Sequence, residues 1–409
     1  MINLSKINLR NALSGQSLAT LLMVALLVQI VPIEGYEVSL VKVGIMALAP
    51  IIFIFKAPYI TKALWWGIVL WCTCFLCAYV QDYMRFSTLG YFALYIFAFI
   101  AFYNLVYTGA FSFQYFKKLL SVLIKTFGIV LVLQQICTLL GISDFPLINL
   151  DDQHFLAIDK LPSLTIEPSH TARIMTVLML GYLRCLQIEN DGERVGFKVL
   201  FAFGNRWVTG LFLWSMLTMG SGTAFIGLGI LCLYFITRRN IWYLVPVIIG
   251  IISIANLFEI KQLTRALTTV EATMTGDTQQ VLEADQSAAA RVGPILNSIF
   301  DTDLTQKDTW FGQGTSQKQT YEQVTKNLGK GKIKILEQYG LLATFVSFIL
   351  VYTCMIRRFF CIETLIFALL LGCSLGNVYY VWGCLMICCS MKYFMLQYKK
   401  QYQAQPPSE

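Results

Sequence analysis

Apolar residues fill this chain in blocks of about 14 to 22, most of them closed by a short polar or basic segment, and few positions inside a block carry charge. Crossing the hydrocarbon core of a bilayer takes about 20 mostly apolar helical residues. The pattern therefore predicts about twelve transmembrane helices, over 17–33, 36–55, 63–80, 87–107, 119–140, 171–188, 207–220, 222–237, 241–257, 335–356, 361–376 and 378–396. Two long polar stretches, 141–170 and 258–334, interrupt the pattern, and the second is too long to be a plain connector. The first holds Asp144, Asp151, Asp152, Asp159 and Glu167 among Pro146, Pro162 and Pro168, and reads as an irregular acidic loop. In the second, apolar positions recur at helical spacing and predict two or three short helices, with Pro294 interrupting or restarting the one over 281–300.

Composition agrees with that pattern. With 57% hydrophobic and only 13% charged residues, the 409-residue chain holds more apolar surface than one soluble core could bury, which makes it an all-α polytopic membrane protein. No linker or internal repeat divides it, so residues 1–409 read as one membrane domain ending in a cytoplasmic tail, 397–409, disordered over 401–409. Basic residues fall on alternate loops: Lys6 and Arg10, Lys56 and Lys62, Lys117 and Lys118, Arg194, Lys198 and Arg206, Arg238 and Arg239, Arg357 and Arg358, Lys399 and Lys400. The positive-inside rule makes that side cytoplasmic, with both termini inside and both long loops outside. The net charge of +8 follows from this topology and gives no reason to expect nucleic acid. The first span reads as an uncleaved anchor, since no small-residue cleavage site follows it.

Cysteine and histidine usage narrows the chemistry. All 12 cysteines lie in or beside proposed spans, which argues against a disulfide framework or a Cys-based metal site in the loops. Cys72, Cys74 and Cys77 have ligand-like spacing but read as packing within a span. The only histidines are His154 and His170, so no metal and no cofactor is expected.

The densest polar cluster beside a span is 165–173, with Glu167, Ser169, His170 and Arg173. Glu167 precedes a proline, which favours extended backbone, and Pro168 suits the first position of a helix. Free N–H groups there, with Arg173, suit a phosphate or diphosphate, and Glu167 or His170 stands where it could take a proton from a hydroxyl. The bland alternative is a capping acid and an interfacial arginine. Arg291 sits among small residues that leave its fork open to an oxyanion, or simply to solvent. Gly312 and Gly314, in the turn 310–315, could let backbone approach a ligand, or form only a tight turn. Ser221 and Thr223 flank Gly222 in a tight hairpin. Lys330, Lys332 and Lys334 crowd the return to the membrane, as anion binders or snorkelling anchors, and Glu337 is a second acid at membrane level. Gln134, Gln135 and Lys42, inside spans, read as cavity lining.

Taken together, Glu167-Pro168-Ser169 with Arg173, the Ser221-Gly222-Thr223 hairpin, Arg291 followed by Gly312-Gln313-Gly314, and the run 335–342 resemble the O-antigen polymerase (Wzy-type) family and the related O-antigen ligases. The resemblance covers the second half of the chain by motif and the first half by span layout. It implies a membrane glycosyltransferase-like (GT-C-related) fold that polymerises lipid-linked repeat units of O-antigen, capsule or exopolysaccharide at the periplasmic face of the bacterial inner membrane. Donor and acceptor would be undecaprenyl-diphosphate-linked oligosaccharides, and membrane lipid and a chain-length regulator protein are expected partners. Family members use arginines from two periplasmic loops to handle the diphosphate, which map to Arg173 and Arg291. Two features depart from the pattern: the hairpin lacks a basic residue beside its serine, and the histidine that ligases carry after the large loop has no equivalent around 330–339. The second departure favours polymerase over ligase and leaves Glu167 and His170 as candidate bases for metal-independent transfer. A flippase for the same lipid-linked saccharide is a further alternative, but it would be expected to have short external loops and repeated bundles.

Overall fold

The structure, a computed structural model, describes residues 14–28, 40–81, 85–142, 161–236, 242, 286–300, 302–314, 332–376 and 378–404. Among these residues the chain is all-helical. Among the described residues, five helices are long and apolar enough to cross a membrane: α4 (Lys62–Val80), α5 (Phe86–Tyr107), α6 (Phe113–Leu139), α13 (Lys334–Cys354) and α15 (Tyr379–Ala404, crossing over Tyr379–Gln401). Between them lie α7 (Pro168–Glu189), α9 (Arg206–Thr218) and α10 (Gly222–Phe235), with the single-turn α8 (Phe197–Leu200) before α9. Helix α1 (Gly15–Leu27) opens the described chain, capped by Ser14, whose side chain accepts from the Ser17 N–H.

Several expected spans take a different form. The predicted span 36–55 is two helices over its described part, α2 (Leu40–Ala47) and α3 (Ala49–Lys56), because Pro50 in the first turn of α3 cannot continue the ladder from α2. The predicted span 361–376 is irregular, an α-turn at Ile362–Ile366 followed by π-helix (Phe367–Leu371) and a 3-10 turn (Gly372–Ser374); we treat the three as α14. Helices α9 and α10, of 13 and 14 residues, reach only about 20 Å at 1.5 Å per residue, short of a bilayer core. The expected tail begins as helix instead: α15 runs on through residues 397–404. The predicted span 241–257, apart from Trp242, lies outside the described residues, as do most of 141–160 and 258–285.

The core is a bundle around α5, α7 and α15. Helix α7 packs against α6, α10 and α15, while α5 packs against α1, α3, α4 and α15. With little hydrophobic force between helices in lipid, close backbone approach has to drive this packing. Glycines stand at the crossings: a Cβ on Gly67 would meet Ile100 at 2.9 Å, on Gly128 Leu211 at 2.9 Å, and on Gly383 Leu27 at 2.9 Å. A Cβ on Gly227 of α10 would clash still harder with the Thr176 hydroxyl of α7.

From the second long loop the structure describes α11 (Gln286–Phe300) and α12 (Lys307–Phe311). Pro294 neither ends nor restarts α11, contrary to the expectation from its sequence, and the Ser298 hydroxyl donates to its carbonyl at 2.6 Å. Helix α11 lies against Gly372–Ser374 and the start of α13, where the Ile333 N–H donates to Ser298 Oγ at 2.9 Å.

Candidate functional site

The chain enters α7 through a turn that is fully determined by buried polar contacts. Ser163 adopts φ 55, a left-handed conformation costly for a non-glycine residue, and is wholly buried. Gln134 of α6 holds it from both sides, accepting from the Ser163 N–H at 2.8 Å and donating to its carbonyl at 3.0 Å. The Ser163 hydroxyl donates to the Phe127 carbonyl at 2.6 Å. Thr165 Oγ1 reaches the carbonyls of Pro162 at 3.0 Å and Glu167 at 2.7 Å, and the Thr171 hydroxyl, 2.8 Å away, also bonds to the Pro162 carbonyl. Strain of this kind persists only where surroundings over-determine it. Here it delivers Glu167 to the head of α7.

Glu167 is extended, at φ −129 and ψ 142, and Pro168 takes the first helical position, as the local sequence requires. The Glu167 side chain makes no cap bond, is 48% exposed, and accepts from the Ser169 hydroxyl at 3.0 Å. Its Oε2 lies 3.7 Å from His170 Nε2. The His170 ring in turn lies against Tyr380, with centroids 4.5 Å apart.

Tyr380 closes the chain of contacts by accepting from Arg173 Nη1 at 2.5 Å, with Ser374 Oγ at 3.4 Å from the same nitrogen. Arg173 is only 7% exposed. It has no carboxylate within 4 Å among the described residues, and its buried Nε has no hydrogen-bond partner. A buried cation held only by neutral hydroxyls is costly, by several kcal/mol unless an anion joins it. The connection from α14 to α15 lies beside a second unpaired atom, which belongs to α13: a Cβ at Gly376 would lie 3.6 Å from Gln338 Oε1, a buried acceptor with no partner.

Other candidates fall differently. Gly312 and Gly314 hold backbone against backbone. Gly312 and Gly340 both have positive φ, at 80 and 76, and a Cβ on either would come within 2.5 Å of the other segment's main chain. The N–H groups of Gln313 and Gly314 donate to the carbonyls of Glu337 at 2.7 Å and Gln338 at 3.2 Å, and the Gln81 side-chain amide bonds to the Gly312 carbonyl. The glycines mark a close approach, but its partner is the entry to α13. Lys334 and Glu337 pair with each other at 2.9 Å. Lys332 is half-buried, and Lys330 lies outside the described residues.

Ser221 and Thr223 are buried at the head of α10, and Thr223 Oγ1 has no partner. Helices α7 and α10 run parallel with Gly227 against Thr176, so Thr223 is level with Ala172, one residue from Arg173. Arg291 lies on α11, the helix that abuts Gly372–Ser374 and thus the segment that holds Arg173; its side chain is outside the described residues, as are that of Lys42 and all of His154. Gln134 fixes Ser163, and Gln135 donates to Thr218 Oγ1 at 2.8 Å and accepts from Trp214 Nε1 at 2.9 Å. Cys74 and Cys77 are buried while Cys72 is exposed on another side of α4. Sequence reasoning missed Tyr380 and Ser374; the available signal was a pair of polar groups at facing ends of the last two apolar blocks.

Compared with protein-family models, curated proteins and solved structures, the chain has no significant match in any of the three.

Proposed function

We propose that this protein is a polysaccharide repeat-unit polymerase of the Wzy type, a membrane glycosyltransferase working without a metal. The observation that carries the reading is Arg173: a buried guanidinium with an unpaired Nε and no acid partner among the described residues, two turns or less from Glu167, Ser169 and His170. That arrangement suits a diphosphate beside a group that can take a proton. In the proposed reaction an acceptor sugar hydroxyl attacks the anomeric carbon of the growing glycan. The new glycosidic bond forms as the bond to the diphosphate oxygen breaks, and undecaprenyl diphosphate leaves with the electron pair. The hydroxyl proton passes to Glu167 or, alternatively, His170, while Arg173, with Arg291 from the large loop, stabilises the charge on the leaving group. The proposal includes about twelve spans, a GT-C-related architecture and a location in the bacterial inner membrane with both termini cytoplasmic and the Glu167 end periplasmic.

Deleting the gene and analysing surface polysaccharide by gel tests it. The expected result is a ladder that collapses to single repeat units, restored by the wild-type gene and not by Arg173→Ala protein present at equal membrane abundance. A full ladder in the deletion strain, or with the Arg173→Ala protein, would overturn the reading.

A further inference from the structure

Helix α7 carries a second arginine, Arg184, eleven residues after Arg173 and about 16 Å farther along the axis, at the other end of the bundle. A cavity of about 280 Å³ opens there, between the end of α7, the end of α13, the start of α14 and the middle of α15. Its charged lining is Arg184, Arg194, Arg357, Arg358 and Lys392 against a single carboxylate, Glu363.

Three of these cations already have structural tasks. Arg184 pairs bidentately with Glu363, at 2.8 and 3.1 Å, which cancels the one acid. Arg194 donates to the carbonyls of Tyr234 and Ile236 at the end of α10. Lys392 donates to the carbonyls of Tyr352, Thr353 and Ile356, satisfying the end of α13. The guanidinium groups of Arg357 and Arg358 have no hydrogen bond or ion pair among the described residues; only the backbone carbonyl of Arg358 is engaged, accepting from Thr364 Oγ1 at 3.1 Å. Partial burial, together with the neighbouring charges of Arg358 and Arg184, holds the Arg357 pKa below its ordinary value. A cation crowded by cations in a concave site is relieved by an anion.

We propose that this cavity binds a phosphate or diphosphate group at the face of the membrane opposite Arg173, with Arg357 and Arg358 as its ligating forks. Guanidinium forks match phosphate oxygens bidentately, and both arginines line the cavity. The group could arrive on an anionic membrane lipid, attracted to a polybasic surface, or free in solution. Since the two guanidinium groups hold up no other part of the fold, the site can be altered without disturbing the bundle.

The test uses the full-length chain purified in detergent, with two probes. One is phosphatidylglycerol against phosphatidylcholine, read as lipid retained in native mass spectrometry. The other is inorganic pyrophosphate, read as a shift in thermal unfolding. Wild type should retain phosphatidylglycerol over phosphatidylcholine, or be stabilised by pyrophosphate, and the Arg357→Gln/Arg358→Gln double variant should lose at least ten-fold of that binding. Preference for the lipid assigns the site to a headgroup, and response to pyrophosphate alone assigns it to a soluble phosphate. Equal binding by wild type and double variant, or binding of neither probe by wild type, overturns the proposal. If the double variant does not fold, the exposed Arg358→Gln alone gives the same comparison.

Discussion

Arg173 is asked to supply a developing-charge contact, and loss of one such donor costs about 2.7–4 kcal/mol in the transition state, or roughly 10²- to 10³-fold in rate. We therefore expect Arg173→Ala to lower polymer formation from lipid-linked repeat units by at least 100-fold. Arg173→Lys should recover only a small part, because an ammonium cannot keep the Tyr380 bond and present a second N–H to the diphosphate. Full activity of the lysine variant would mean that charge alone matters there. The base is separable by the same assay: Glu167→Gln should lose 10²- to 10⁴-fold if the carboxylate takes the proton, with His170→Gln affected far less, and the reverse order would move the role to His170. Glu167, Pro168 and Arg173 were legible in the sequence because a proline and charges beside an apolar run are local signals. Tyr380 and Ser374 were not, because they reach Arg173 from more than 200 residues away and neither has a distinctive neighbourhood. Gly312 was half legible: a glycine signals close approach but not what approaches, and here it is the main chain of Gln338.

That approach ties α12 to the entry of α13 and so belongs to the scale of elements. At Gly340 a side chain would meet both a positive φ, costing about 1–2 kcal/mol, and overlap with the Trp310 carbonyl, costing a further 1–3 kcal/mol or so. Gly340→Ala should lower the thermal unfolding temperature of the purified protein clearly, whereas Gly90→Ala on α5, which meets nothing within 4 Å, should leave it unchanged or raise it slightly, alanine being the better helix former. Equal behaviour of the two variants would show that the backbone clamp contributes nothing to stability. The turn before α7 is a second joint. Gln134→Leu leaves the Ser163 N–H and carbonyl unpaired in a buried place, at about 1–3 kcal/mol, and should lower activity as well as stability because the same turn carries Glu167. Normal activity with reduced stability would separate the turn from the site. Long elements were readable from hydropathy: α4, α5, α13 and the start of α15 fall within a few residues of the predicted blocks. Breaks such as Leu48 and the π-turn at Phe367–Leu371 were not, since hydropathy averages over about a helix length and does not register a change of hydrogen-bond pattern.

For the whole molecule, the two ends of α7 differ in kind. One end has a half-exposed carboxylate, an imidazole and a buried arginine with unpaired capacity; the other has a basic cavity whose arginines are partly free. An apolar bundle with such ends has only two orientations in a bilayer, and the distribution of Lys and Arg over alternate loops selects one. Arg357 and Arg358 belong to a short loop between α13 and α14, where the rule carries most weight, so the Arg184 end should face the cytoplasm. Cysteine labelling checks this on the intact chain. Ile166→Cys, at an exposed position beside Glu167, should react with a membrane-impermeant maleimide in spheroplasts. Arg358→Cys, also exposed, should react only after the membrane is opened. The unsubstituted chain, with its own cysteines, sets the background for both. Labelling of Arg358→Cys alone in sealed spheroplasts would invert the molecule and put the Glu167 end in the cytoplasm. A polymerase acting on periplasmic repeat units could not then use that site, so this labelling pattern bears on orientation and on the proposed chemistry together.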